Sequence, residues 1–114
     1  MIDHPVLSDE QRTPPPAVAE AARTGLRLRR EHGRGGTEVG VRRAEQLMAR
    51  TPLSDRDIKS IYSYFARHAV DRRARRWADP DKPSTGYIAW MLWGGDESRD
   101  WIGVLRRTLR EVGV

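Results

Sequence analysis

A chain of 114 residues, 38% hydrophobic and 32% charged, has material for one domain around a single core, and a mean hydropathy of −0.73 makes its surface heavily charged. The absence of cysteine excludes a disulfide framework and thiolate metal sites. His4, His32 and His68 form no ligand pair at helical spacing, so neither a structural zinc nor another cofactor is expected. The net charge of +5 is uneven: residues 1 to 16 carry −2, residues 17 to 76 carry +8 and residues 77 to 114 carry −1. A basic middle favours a polyanion or an acidic protein partner, the plainer alternative being a solvated basic face.

Residues 1 to 16 contain Pro5 and the run Pro14-Pro15-Pro16 with almost no apolar periodicity, so they read as an extended, Pro-rich arm outside the core. It lacks the basic segment and apolar run of a secretory signal. A first helix is predicted from Pro16, where proline suits the first turn, to about His32. Val18, Ala21, Ala22, Gly25, Leu26 and Leu28 lie on one side of it and Arg23, Arg27 and Arg30 on the other. Gly33-Arg34-Gly35-Gly36 stops it. Thr37 then caps a second helix reaching about Arg50, with Val41, Ala44, Leu47 and Met48 inward and Arg42 and Arg43 exposed. The short glycine turn predicts an antiparallel hairpin.

Pro52 breaks the chain, and Ser54 with Asp55 and Asp57 opens a third helix: a cap hydroxyl followed by carboxylates where the helix dipole is positive. Ile58, Ile61, Tyr62 and Phe65 recur at three and four residues, with Val70 near the end, and the helix either frays into or continues through Arg72, Arg73, Arg75 and Arg76. Asp79-Pro80-Asp81-Lys82-Pro83 is a loop. Ser84 or Thr85 caps a short fourth helix over Tyr87 to Trp93. That run is apolar nearly all round, as a central buried helix would be, and at seven residues falls far short of the ~20 needed to span a bilayer. Ile88 to Trp93 also suits a buried strand, but no second strand exists to pair with it. Gly94-Gly95 ends the helix and Asp96 caps a fifth. In the fifth, Trp101, Val104, Leu105, Leu109 and Val112 are expected inward, and Arg99, Arg106, Arg107 and Arg110 outward. The expected fold is all-α: a compact bundle of four to five short helices over residues 17 to 114, with the arm of residues 1 to 16 preceding it.

Gly33, Arg34, Gly35, Gly36 and Thr37 superficially resemble a phosphate-binding loop, but a helix precedes them and no Lys-Ser/Thr pair closes the frame. A tight inter-helix turn is the better reading, with an incidental phosphate contact left open. The acids at helix starts are explained by capping. His68 near a helix end has no serine or carboxylate partner at a telling spacing, so no catalytic residue is assigned and an enzyme is not expected. Arg67, Arg72, Arg73, Arg75, Arg76 and Trp77 form the densest basic and aromatic cluster, and they are the candidate partner-binding residues. Phosphate forks, the acids of a neighbouring subunit, and water are all open as their counterpart. No helix-turn-helix pattern or base-reading recognition helix stands out. Trp90 and Trp93 share a helical face and Trp101 opens the next helix, so the three are expected to meet, as a core worth roughly 2 to 3 kcal/mol per ring or as an exposed hot spot.

Gly33 to Ala44, Pro52-Leu53-Ser54, Tyr64-Phe65-Ala66-Arg67-His68 and the string Ile88 to Asp96 together resemble a small helical domain of tailed bacteriophages, associated with head and prohead-protease gene neighbourhoods. The likeness spans about residues 15 to 102, and Ala89 to Asp96 is its most specific part. The chain departs from it at Glu97-Ser98, where a small residue and a glycine are usual, and in a longer tail after Trp101. The resemblance carries no catalytic residues and implies a context: a phage particle or its assembly. The expectation is a non-enzymatic virion protein, a minor capsid or decoration component, found in the capsid and, during assembly, in the host cytoplasm. It would bind head proteins through its basic helices and the N-terminal arm. The alternative is a nucleic-acid-associated phage protein using the cluster from Arg67 to Trp77, and a third reading is a scaffold that leaves. Neither a membrane nor a small-molecule substrate is expected.

Overall fold

The computed structural model describes residues 6 to 114. All regular structure among them is helical. Pro5 and the rest of the first five residues lie outside this range.

Local chemistry sets most of the helix boundaries. Helix α2 (Pro16–His32) starts on proline, and Gly33 ends it in the left-handed conformation at φ 63°. Thr37 caps α3 (Glu38–Ala49) by accepting from the Gly40 amide, and Ser54 caps α4 (Asp55–His68) by accepting from Asp57. Ser84 serves α5 (Thr85–Leu92) in the same way through the Tyr87 amide. Helix α6 (Gly95–Glu111) differs from expectation. Its N-cap is Gly94, which supplies no side chain, and Asp96 lies in the first turn with its carboxylate engaged elsewhere.

Helices α2 and α3 pack against each other across the turn 33–37, and α5 lies against both. This central position follows from composition: Ile88, Trp90 and Leu92 of α5 are buried, with Trp93 just after them. Small residues let it settle. A Cβ on Gly35 would come within 2.6 Å of Ile88, and one on Gly36 within 2.6 Å of Leu92, so the glycine turn is the floor under α5 as well as a helix stop. Helix α4 packs along α6, placing Ile58, Ile61 and Phe65 in one core with Ile102, Leu105 and Leu109. The inward face of α6 is rotated from the expected one. Ser98, Ile102, Leu105 and Leu109 are buried, whereas Val104 is 57% exposed and Val112 55%. At 100° per residue Val104 falls opposite that buried stripe.

The described part of the N-terminal arm is built into the domain, correcting its expected place outside the core. Leu7 and Pro14 are fully buried, and Leu7 belongs to the central cluster. Ser8 and Gln11 close a capping box around a one-turn helix α1 (Asp9–Arg12). Arg12 fastens it: Nε donates to the Leu7 carbonyl at 3.1 Å and Nη1 to the Leu53 carbonyl at 3.1 Å. Nη1 also pairs with the Asp55 carboxylate at 2.7 Å. The Leu53 amide donates back to the Arg12 carbonyl at 3.0 Å, and Arg50 Nε donates to the Pro14 carbonyl at 2.8 Å. The single left-handed non-glycine residue among those described is this same Arg50, at φ 53°, whose conformation ends α3.

Candidate interaction surface

After His68 the α4 chain tightens into a 3-10 turn over Ala69–Arg73, followed by a turn-rich loop up to Ser84. Sequence left open whether the helix frays or continues here, and the outcome is a compact change of pitch. It is held from beneath by an aromatic column. The Tyr64 ring stacks on Trp93 at 4.3 Å with 3° between planes, and His68 stacks on Tyr64 at 4.5 Å. His68 Nδ1 lies 3.0 Å from Asp71 Oδ2, joining the last turn of α4 to the 3-10 turn. Below Trp93 sits Arg43, its guanidinium 5.1 Å from the ring centroid. Arg43 was expected in solvent. Its side chain is only 13% exposed, because Asp57 at 3.0 Å and Ser60 at 3.1 Å draw it inward, together with Gln46.

The far end of the segment is anchored by Trp77, which meets Trp90 edge-on at 5.5 Å and Tyr87 edge-on at 5.3 Å. Trp90 is buried and donates from Nε1 to Asp96 Oδ1 at 2.9 Å. The other oxygen of Asp96 lies 3.5 Å from Arg72 Nη2, and the Arg72 guanidinium also sits 5.7 Å from the Trp90 ring centroid. One carboxylate therefore ties an indole to a guanidinium. The loop closes through the Ser84 amide, which donates to the Arg76 carbonyl at 2.9 Å, and through Asp79, whose carboxylate accepts from the Asp81 and Lys82 amides. Those two amide bonds, with a lesser contribution from Arg76, hold the Asp79 carboxyl below the ordinary aspartate range.

The candidate arginines divide accordingly. Arg72 is engaged, and Arg76 lies 3.6 Å from Asp79 in an exposed pair of little energetic weight. Arg67, Arg73 and Arg75 are exposed, and no carboxylate among the described residues comes within ion-pair range of them. Val70, 58% exposed, stands among them. The result is an edge of free guanidinium forks on a backbone fixed at both ends.

The remaining candidates lie elsewhere. Trp90 and Trp93 are core residues, and each meets the Tyr64 ring. Trp101 does not join them: its Nε1 donates to the Gln11 carbonyl at 3.2 Å, so it holds down α1. Its position eight residues beyond Trp93 is separated from α5 by the sharp Gly94-Gly95 turn, which sends the α6 side chain toward the arm. In the glycine turn, Arg34 Nη2 donates to the Pro83 carbonyl at 2.9 Å and Arg29 Nε to the Gly35 carbonyl at 3.1 Å, which pins turn and loop together. The residues that sequence reasoning missed are Asp71, Asp96, Arg43 and Tyr64. The i,i+3 spacings His68/Asp71 and Arg43/Gln46 were the available signals, whereas nothing local marks Asp96 as a partner of Arg72. Among the described residues no cluster of His, Asp and Glu could hold a metal ion, and no helix is long and apolar enough to cross a membrane. No family model, no curated protein and no solved structure matches the chain.

Proposed function

We propose that this chain is a non-enzymatic structural protein of a tailed-phage head, a minor capsid or decoration component that seats its arginine edge on an acidic face of the shell. The observation that carries the reading is the state of Arg67, Arg73 and Arg75, exposed and with no carboxylate in ion-pair range among the described residues, on a segment pinned by His68–Asp71, Arg72–Asp96 and Trp77. A backbone already ordered gives up little entropy on binding, so the charge-assisted bonds its forks make to carboxylates are offset less. The phage context comes from the resemblance carried by Ala89 to Asp96.

Nucleic acid is the second reading, favoured by the same free guanidinium forks, which match phosphate oxygens as well as carboxylates. Mass spectrometry of purified particles separates a virion component from a replication factor or a departing scaffold. Presence at fixed stoichiometry in mature particles is expected, and its confinement to infected-cell lysate rules decoration out. Titration of duplex DNA against salt tests the second reading. A steep, sequence-independent loss of affinity with salt that disappears in Arg67→Glu/Arg73→Glu/Arg75→Glu supports it, and a flat response removes it.

A further inference from the structure

We infer that the chain associates head to tail with further copies of itself, the outer face of α6 around Val104 seating in the groove between α2 and α3 of the next copy. The groove is shallow, about 400 Å³, and is lined by Arg23, Leu26 and Arg30 from α2 and Val41, Glu45 and Met48 from α3. Its floor is an apolar strip and its α2 rim is basic. Arg30 has no carboxylate in range among the described residues, and Arg23 has only the exposed Glu20 at 3.4 Å. The rim is therefore free to pair with an incoming acid.

The solvent face of α6 has the complementary character. At 100° per residue Glu97, Asp100, Val104 and Glu111 fall within one narrow strip, opposite the stripe that buries Ser98, Ile102, Leu105 and Leu109. Val104 is more than half exposed in the middle of it. Glu97 and Glu111 have no cation in ion-pair range among the described residues, and Asp100 has only the neighbouring Arg99 at 3.4 Å. Arg99, paired with Asp100, and Arg107, one turn beyond Val104, are the positive groups beside the strip, and Glu45 is the negative group lining the groove. An apolar centre with acidic flanks thus faces an apolar centre with basic flanks. A helix laid in a groove between two helices is a recurrent docking mode. Because groove and strip are different surfaces, the contact is heterologous, so it propagates into a ring or an open chain of subunits. It uses none of Arg67, Arg73 and Arg75 and stands or falls separately from the arginine edge.

Sedimentation velocity and light scattering on the full chain test it. Expected is association beyond a dimer, with an apparent Kd on the order of 100 μM and weakening with salt. Val104→Glu, at an exposed position, and the rim variant Arg23→Glu/Arg30→Glu, on exposed side chains, each leave a monomer that circular dichroism shows to be folded. Mixing the two variants is decisive. Each retains the surface the other has lost, so together they form a one-to-one heterodimer and nothing larger. A wild-type chain that stays monomeric to about 1 mM overturns the proposal. So does association that Val104→Glu leaves intact, which is the outcome if the copies pair through another surface.

Discussion

Gly25 of α2 lies directly against the backbone of Leu92 in α5: a Cβ at residue 25 would stand 2.6 Å from the Leu92 nitrogen and 2.8 Å from the Met91 carbonyl carbon. Backbone cannot swing aside as a side chain does. Gly25→Ala therefore trades a helix-propensity gain of up to ~1 kcal/mol for displacement of the central helix, with a net loss of about 1 to 3 kcal/mol expected. Gly103 in α6 is the control, since nothing lies within 4 Å of its Cβ position. Gly103→Ala should stabilise by roughly 0.5 to 1 kcal/mol. Urea denaturation of the two variants should move the midpoint in opposite directions, and a shift of the same sign in both would refute this account of α5.

Leu7 makes the arm a structural element. Leu7→Ala is expected to cost about 2 to 5 kcal/mol, the range for an aliphatic side chain removed from a packed core. Removal of residues 1 to 13 should cost at least as much, because it also strips the Leu53 carbonyl and Asp55 of Arg12. Thermal melts of both variants check this, and an unchanged melting temperature in the truncated chain would mean that the arm rests on the domain without stabilising it.

Asp57 gives stability a dependence on acid. Burial on its own raises the Asp57 pKa, but hydrogen bonds from Arg43 and Gln46, the Arg43 charge and the Ser54 hydroxyl outweigh it and leave the carboxyl below its ordinary 3.8. A folded-state pKa lower than the unfolded one contributes stability that is complete above the unfolded value and is lost as pH falls through the folded value. Asp57→Asn should therefore destabilise by about 1.5 to 3 kcal/mol at pH 7, the scale of hydrogen bonds to a charged group. The gap between variant and wild type should close as pH drops below about 4. A gap constant down to pH 2 would assign the effect to packing.

Tyr64 presents the opposite case. Its hydroxyl is buried without a hydrogen-bond partner among the described residues, and burial, reinforced by the nearby Asp71 charge, raises its pKa well above that of a free phenol. Removing an unsatisfied hydroxyl while keeping the ring that stacks on Trp93 should be neutral or stabilising by up to about 1 kcal/mol, so Tyr64→Phe is expected to fold at least as well as wild type. In alkali, the Tyr64 phenolate should appear only together with unfolding, as ultraviolet difference spectra would report. A loss above about 1 kcal/mol in Tyr64→Phe would reveal a hydrogen bond to that hydroxyl.

Asp96 ties Trp90 to Arg72, so Asp96→Ala should free the indole Nε1 and the guanidinium together. A loss of about 1 to 3 kcal/mol is expected, mostly from the indole left unpaired in a buried site. Arg72→Ala should cost less, since its pair with Asp96 is long and partly exposed. Equal losses in the two variants would show the guanidinium, not the indole, to be the partner that matters.

By itself the sequence determined where the five longer helices run, though not the one-turn helix α1 in the arm or the 3-10 turn after His68. Pro16, Gly33, Thr37 and Ser54 lie at helix ends as read, and Ser84 is the cap of the two residues open for the fourth helix, because a cap is a contact across three or four residues and carries its own signal. The apolar run around Trp90 likewise marked the central helix, since a segment without a polar face has nowhere to go but inside. Only the tertiary structure decided what lies against what. Leu7 in a Pro-rich arm, Trp101 on the Gln11 carbonyl, Arg43 drawn under Trp93, and Asp96 shared by Trp90 and Arg72 depend on surfaces brought together from distant parts of the chain. The arginine cluster was legible as composition, but which of its members remain free was not. Charge is written in the residue, whereas whether a charge is already spent depends on which carboxylate the fold carries to within a few ångströms of it.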